Sequence, residues 1–412
     1  MGDLYTIFII LYTKLIRLAA FFKPKAALWV KGRIGLWDKM EKELMPGKKR
    51  LWFHCASLGE FEQGRPLIEA CRMQHPDYEI LLTFFSPSGY EIRKNYEGAD
   101  HVFYLPADTP ENVKRFLDLS QPSAAFFIKY EFWYNYLQGL DKRNIPVFFV
   151  SAIFRPGQHF FHAYGTWFRG HLQRITHFFV QNEASLKLLA SVGISHATVS
   201  GDTRFDRVYS IAAQAKEFPL IGQFRADDAL FLVGSSWPED EKIVKSLVDK
   251  NLPGMKFIFA PHEVDPARIQ GMLEKMDKTT LRYSQIGKDT RPEDHRSLVI
   301  DSIGILSNLY QYASYAFIGG GYGRGIHNIL EAATFGMPIF FGPNYLKFQE
   351  ACDLIDRGGA FAVADAAELI KKVEQLREDP ILHHQVASIA KAYVNEKRGA
   401  SAVIINKIKT YL

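Results

Sequence analysis

Glu60 closes the segment LWFHCASLGE (51–60), where an apolar run gives way to a Ser57-Leu58-Gly59 turn and then to helical spacing. A carboxylate there sits at the carboxyl edge of a strand, where open parallel sheets bind their ligands, and can act as general base on an acceptor hydroxyl. It equally satisfies the preference for an acidic residue in a helix's first turn. A second charged group lies in IKYEFWYNYL (128–137), where Lys129 and Glu131 end an apolar run ahead of Phe132, Trp133 and Tyr134. Such a pair can hold a polar sugar against an aromatic wall, or form an ordinary salt bridge over a hydrophobic layer.

Two more segments carry candidate chemistry. In VGSSWPEDE (233–241) an apolar run ends in Ser235 and Ser236, and Pro238 with Glu239 reads as a helix start. Free N–H groups and two hydroxyls at that point can hold a phosphate, or Ser236 can cap the helix. Nearby, FAPHEVDPAR (259–268) places His262 and Arg268 after another run, although a lone histidine is more often structural. The richest segment is FIGGGYGRGIHNILEAATFGMPIFFGP (317–343). Three glycines end a strand, and a loop leads to a helix expected to begin near His327. Glycines allow close backbone approach to an anion, and a helix N-terminus favours it. Asn328 and Glu331 lie three apart, so the carboxylate can accept from both hydroxyls of a ribose. The pattern is neither GxGxxG at a first strand nor a Walker loop; a nucleotide-sugar site and a purely structural turn both fit it.

All four segments follow short apolar runs. Such runs occur at 51–55, 79–85, 101–105, 124–129, 146–151 and 177–181, then at 230–234, 256–260, 297–300, 315–319, 338–342 and 360–363. Helical patterns such as 61–74 and 110–119 separate them. The alternation predicts an α/β chain of two doubly wound, Rossmann-like domains facing a cleft. The expected organisation is an N-terminal helix at 1–35, a first domain at 36–210, a linker at 211–226 and a second domain at 227–412. The last helix can pack back on the first domain.

The 412 residues are 47% hydrophobic and 23% charged, which excludes wholesale disorder, collagen and coiled coil. Aromatics reach 14%, with 32 Phe, and suggest apolar surface put to use. Within 1–33, Lys14, Arg17, Lys23, Lys25, Lys31 and Arg33 face Asp3 alone, which accounts for the whole net charge of +5. A nucleic-acid binder spreads its basic face over the folded body; a basic arm beside the most apolar stretch points to anionic membrane lipids instead. The apolar part of LYTIFIILYTKLIRLAAFF (4–22) falls short of the about 20 residues a span needs, with Lys14 and Arg17 in its middle. Asp3, Thr6, Thr13, Lys14 and Arg17 share one helical stripe, so a helix lying in the interface is expected, anchored by Trp29 and Trp37. A true span and an ordinary packed helix are the alternatives. Cys55, Cys71 and Cys352 show no metal-ligand spacing and read as reduced, buried thiols.

Taken together, LWFHCASLGE, TFFSPSGYE, YLPADTPENVKRFL, IKYEFWYN, SGDTRFDRV, DSIGILSNLYQYASYAFIGGGYGRGIHNILEAATFGMPIFFGP and FQEACDLI resemble the 3-deoxy-D-manno-octulosonic acid (Kdo) transferases of lipopolysaccharide biosynthesis. The order and spacing of these pieces cover nearly the whole chain. The resemblance implies a GT-B fold and inverting transfer of Kdo from CMP-Kdo to a lipid A precursor at the cytoplasmic face of the inner membrane. It implies no cofactor or metal, and a membrane-associated N-terminal helix. It makes Glu60 the general base and gives Glu131, in the family's E-L-W position, a role in holding the acceptor or the reacting sugar. On the donor side it points to Ser235 and Ser236, to His262, and to Ile303, Gly304 and Ile305 behind the cytosine. Gly323, Arg324, His327, Asn328 and Glu331 match the R-G-G-H-N-x-x-E stretch, with Asn328 and Glu331 on the CMP portion.

Two departures stand out. SSWPEDE replaces the family's T-H-x-G-E-E pattern, and Lys129-Tyr130-Glu131 differs from the usual M-E-T-E. The donor-loop departure keeps a UDP-sugar transferase in view as a competing reading; the basic apolar arm argues against a UDP-sugar epimerase, and the retained Glu60 against an inactive lectin-like module.

Overall fold

The structure, a computed structural model, describes residues 2–412 and divides them into two compact units. The first unit comprises the chain up to Arg207 together with Arg398–Leu412, and the second comprises Val208–Lys397. The division falls inside the helix Arg204–Ala213, and a second helix, Pro219–Arg225, occupies much of the stretch read as a linker.

Unit 1 holds a seven-stranded parallel sheet of β1 (Arg50–Cys55), β2 (Glu79–Phe84), β3 (His101–Tyr104), β4 (Ala124–Ile128), β5 (Val147–Ala152), β6 (His177–Val180) and β7 (Ala197–Val199). Their spatial order is β3-β2-β1-β4-β5-β6-β7. Unit 2 repeats the plan with β8 (Ala229–Ser236), β9 (Met255–Pro261), β10 (Leu281–Arg282), β11 (Ser297–Val299), β12 (Tyr315–Ile318), β13 (Ile339–Phe341) and β14 (Ala360–Ala362), ordered β10-β11-β9-β8-β12-β13-β14. Both are doubly wound sheets, as the alternating runs predict. Chain direction across each sheet reverses at one place, between β1 and β4 and between β8 and β12. Crevices for ligands form at the carboxyl ends of strands at such points.

Helices cover both faces of each sheet, so the central strands are apolar on both sides instead of alternating. Every residue of β1, β4 and β5 is buried. The abundant phenylalanines line up here: Phe53 pairs in register with Phe126, and Phe126 with Phe148, with ring centroids 4.6 and 5.2 Å apart. Phe127, Phe149 and Phe178 form a second ladder on the opposite face. Much of the aromatic excess is thus core, correcting the expectation of apolar surface. The helix Ala400–Ile408 completes the first core by burying Ile404, Ile405 and Ile408 beside Leu67, Ile68 and Phe148.

Three helices precede β1: α1 (Gly2–Ala19), α2 (Pro24–Lys31) and α3 (Leu36–Glu43). The face of α1 that meets unit 1 carries Tyr5, Thr6, Ile9 and Thr13. The Tyr5 hydroxyl donates to Asp108 at 2.6 Å, Asn135 Nδ2 donates to Thr6 at 3.3 Å, and Ile9 is buried. Leu4, Ile7, Phe8, Leu11, Leu15 and Leu18 point outward, and Phe21 and Phe22 are 81% and 77% exposed. Part of the polar stripe therefore packs inward while the apolar residues face out. Trp29 is 5% exposed, so it belongs to the protein interior and not to an interfacial anchor. Among the described residues no single helix is long and apolar enough to cross a bilayer; α1 and α2 together pass by length and composition but bend by 118°.

Candidate functional site

In unit 1 the registers Leu51↔Ala124 through His54↔Phe127 bring the ends of β1 and β4 level. The helix α4 (Leu58–Gln74) starts three residues after β1. Ser57 and Glu60 have the spacing of a capping box, yet the Ser57 side chain caps no backbone N–H and its hydroxyl donates directly to the Glu60 carboxylate. Lys129 follows β4 with φ +69°, a left-handed conformation that costs a non-glycine residue about 1–3 kcal/mol. Its Nζ lies 3.6 Å from Glu60 Oε1. The structure thus brings together Glu60 and Lys129 from separate segments on one rim.

Glu131, two residues further, occupies a different environment. It shares a cavity of about 340 Å³ with Phe132, Trp133 and Tyr5, Phe8, Ile9 and Tyr12 of α1. Burial, reinforced by the negative charge of Glu60, pushes its pKa up to about 7; the Trp133 N–H and Lys129 pull the other way. His54 lies 4.0 Å from Glu131 but forms no ion pair with it. Its Nε2 accepts from the Trp133 indole at 3.0 Å, its Nδ1 meets Thr83 Oγ1 at 3.0 Å, and burial holds its pKa down at about 3. Neutral His54 is a scaffold that orients Trp133 beside Glu131. Neither His54 nor Tyr5 was singled out in the sequence, because their partners Trp133 and Asp108 lie 79 and 103 residues away.

In unit 2 the equivalent rim lies where β8 and β12 end. Gly319 must be glycine because a Cβ there would collide with the Ser235 carbonyl, and Gly320 has φ +93°. Gly319 therefore serves the close approach of two protein segments, where the sequence suggested approach to an anion. Asp240 Oδ2 accepts from the backbone N–H of Trp237 and of Gly320, both at 2.8 Å, tying the two loops together.

Ser235 (φ +52°), His262, Ile303 and Gly304 line one cavity of about 620 Å³, with Glu263, Asp265, Ile300 and Ser302. Ile305 follows Gly304 at the start of the helix Leu306–Leu309. Ser236 behaves otherwise than expected. It is 1% exposed, and its hydroxyl donates to Glu241 at 2.8 Å, a carboxylate that also pairs with Arg268. Trp237, not Ser236, occupies the N-cap position of the helix Pro238–Asp249.

The helix expected near His327 starts at Leu330 and is a single turn, Leu330–Ala333, too short to offer a dipole site. Asn328 and Glu331 nevertheless meet, with Asn328 Nδ2 donating to Glu331 Oε1 at 3.0 Å. Gly323 and Arg324 lie on an exposed turn, and Arg324 has no ion pair among the described residues. His327 stacks on His262 with centroids 4.2 Å apart and accepts from the Trp237 indole at Nε2, 3.0 Å away. With Nε2 occupied as acceptor, the ring proton resides on Nδ1, which remains a donor. Burial, together with His262, lowers the His327 pKa to about 4. Trp237→Phe removes the indole N–H and frees Nε2 for protonation, so the His327 titration is expected to move up, while burial and His262 still hold it below 6.5. An NMR pH titration of the histidine ring protons reads it, and an unmoved midpoint contradicts the tautomer assignment.

Cys55 and Cys71 are buried, whereas Cys352 is half-exposed, and all three are free. Among the described residues no group of three His, Cys, Asp or Glu side chains is placed to hold a metal ion.

Residues 29–207 match the family described as 3-deoxy-D-manno-octulosonic-acid transferase (kdotransferase). The chain is 27% identical over 382 residues to a 3-deoxy-D-manno-octulosonic acid transferase of Haemophilus influenzae, covering 89% of this chain and 88% of that protein. A protein of the same name from Aquifex aeolicus is 27% identical over 337 residues, covering 80% and 86%. The fold also resembles a UDP-GlcNAc 2-epimerase from Neisseria meningitidis, with a TM-score of 0.63, 15% identity, and 88% and 100% of the two chains covered.

Proposed function

We propose, from the premise that residues 29–207 belong to the 3-deoxy-D-manno-octulosonic-acid transferase family and make this chain a glycosyltransferase, that it moves Kdo from CMP-Kdo to a lipid A precursor at the cytoplasmic face of the inner membrane. The observation that carries the reading is the carboxylate pair of unit 1. Glu60, held by Ser57 and Lys129, sits on the polar rim, while Glu131 is kept protonated to about pH 7 beside an aromatic groove. Two carboxyl groups in such different surroundings divide into a base and a hydrogen-bond donor.

In this mechanism Glu60 takes the proton of the acceptor's sugar hydroxyl as that oxygen bonds to the anomeric carbon of Kdo. The bond from that carbon to the CMP phosphate oxygen breaks, and CMP leaves with the electron pair. A single displacement of this kind inverts the anomeric centre. Protonated Glu131 donates to the acceptor sugar and fixes its approach. In unit 2 the His327 Nδ1–H, Arg324 and the Ser235 hydroxyl meet the CMP phosphate, where negative charge grows as the bond breaks. Ile303, Gly304 and Ile305 lie behind the cytosine, and Asn328 with Glu331 takes the ribose hydroxyls. No metal is required, because one phosphate carries the departing charge and protein cations suffice for it. The outward apolar face of α1, with its neighbouring cations, rests on an anionic lipid surface and keeps the acyl chains beside the groove.

Calorimetric titration with CMP, in the presence of chelator, tests the donor side. CMP is expected to bind the wild type more tightly than UMP or UDP. Glu331→Gln, which loses a charged acceptor for the ribose, is expected to weaken CMP at least tenfold, or about 1.4 kcal/mol. Equal affinity in the variant, or preference for UDP, counts against a CMP-sugar donor.

A further inference from the structure

A second cavity in unit 1, of about 340 Å³, is walled by α1, α2, α3 and the loop after β3. None of its lining residues is acidic, and two of them, Arg17 and Arg33, are cations. The Arg33 guanidinium lies 3.7 Å above the Trp29 ring and 4.6 Å from the Tyr104 ring. It donates to the carbonyl oxygens of Trp29, Leu105 and Phe85 at 2.9–3.1 Å. Those bonds leave one Nη1 N–H without an acceptor, and neither arginine has a carboxylate partner among the described residues. Trp29 also lines the cavity, is 5% exposed, and has an indole N–H that no group in the structure accepts.

A half-buried guanidinium with no counter-charge, next to an unmet buried donor, is costly unless something else supplies the acceptor and the charge. Desolvation has already pulled the Arg33 pKa down to about 9. The missing partner must be an anion with several acceptor oxygens, which paired guanidinium groups match best with a phosphate. Arg17 of the cavity wall lies on the same arm as Leu18, Phe21 and Phe22, which are exposed apolar residues. A phosphate there is most readily one carried at a lipid surface.

We propose that this cavity, defined by Arg17, Arg33 and Trp29, is a binding site for the phosphate group of a lipid headgroup. The phosphate belongs either to the acceptor lipid itself or to a phospholipid of the surrounding bilayer. The inference rests on the proposed function only in placing α1 against lipid. Phe85 joins this cavity to the groove at Glu131, since its ring lies 5.8 Å from Trp29 and 4.7 Å from Trp133. A phosphate held at Arg33 would therefore register a lipid's headgroup relative to Glu131.

The test uses full-length protein with 15N-labelled tryptophan, the Trp29 indole resonance being identified by its loss in Trp29→Phe. It is titrated with inorganic phosphate against sodium chloride at equal ionic strength. It is then titrated with phosphatidylcholine micelles with and without phosphatidate. A saturable shift of the Trp29 signal with phosphate, or with phosphatidate and not phosphatidylcholine alone, is expected. Arg17→Gln, at an exposed position and so safe for folding, should weaken it at least tenfold, and Arg33→Lys should do the same. Response to phosphatidate without response to inorganic phosphate assigns the site to phosphate carried at a lipid surface, and displacement of phosphatidate by a lipid A precursor then assigns it to the acceptor instead of bilayer phospholipid. Response to both assigns it to any accessible phosphate, the acceptor's included. No shift with either probe, a shift that sodium chloride reproduces, or unchanged affinity in Arg17→Gln overturns the proposal. Glu60→Gln run in parallel should bind phosphate as the wild type does, which separates failure of this site from failure of the transfer reading.

Discussion

Glu60→Gln is expected to lower the turnover of Kdo transfer about 10²–10⁴-fold, the range for loss of a positioned general base, with the KM for CMP-Kdo unchanged. The substitution keeps the size of the side chain and its ability to accept from Ser57. It removes the charge that Lys129 faces at 3.6 Å and the basicity needed to take a hydroxyl proton. The residues proposed to bind the donor belong to unit 2 and Glu60 to unit 1, so the loss is expected to fall on kcat alone. Steady-state kinetics at saturating acceptor, with circular dichroism to verify folding, measure it. Turnover within about threefold of the wild type would remove Glu60 from the chemistry.

Glu131→Gln should produce the largest pH-dependent change. The Glu131 pKa is raised from 4.5 to about 7 by burial and by Glu60. A carboxyl whose folded pKa lies above its unfolded value favours folding in its protonated form. That contribution is fully present below pH 4.5 and is lost as pH rises through 7, by about 3 kcal/mol in all. Asp108, pushed up to about 6 by burial, adds a loss of the same sign from pH 3.8 upward, so the informative quantity is the difference between variant and wild type. Glu131→Gln should melt above the wild type at pH 8.5, and that advantage should vanish near pH 4.5. Glutamine also retains a hydrogen-bond donor. The variant should therefore keep measurable transfer and lose the fall in wild-type rate above pH 7, whereas Glu131→Ala should lose transfer at every pH. A wild-type rate that rises through pH 7 and disappears in Glu131→Gln would make Glu131 the base in place of Glu60.

The fold was legible wherever a strand is buried on both faces. The runs LWFHC, AAFFI and PVFFVS announce β1, β4 and β5 because helices on both sides of the sheet make these strands mostly apolar on both faces. β7 and β10 were missed for the converse reason: Ala197–Val199 and Leu281–Arg282 are short, half-buried edge strands with no continuous apolar run. At the site, the loops after β1, β4, β8 and β12 could be located because doubly wound sheets place ligands at strand ends. Which way a side chain turns within such a loop could not. Ser235 and Ser236 are adjacent, yet one lines a cavity and the other is tied to Glu241. Trp237 and His327 are joined by a hydrogen bond across 90 residues of sequence, a contact that local spacing cannot report. The N-terminal arm shows the same limit. Its composition predicted contact with lipid, but Trp29, read as an interfacial anchor, is folded under Arg33 by the packing of α2 against the loops after β2 and β3.

Transfer of Kdo is measured by incubating purified protein with a tetra-acylated lipid A precursor and CMP-Kdo generated in place, with chelator present, and weighing the lipid product. A mass gain of one or more Kdo residues in the wild type, release of CMP in equal number, and loss of both in Glu60→Gln are expected. An unmodified lipid recovered from folded, lipid-bound protein, or a gain only when a UDP-sugar is the donor, would contradict transfer from CMP-Kdo.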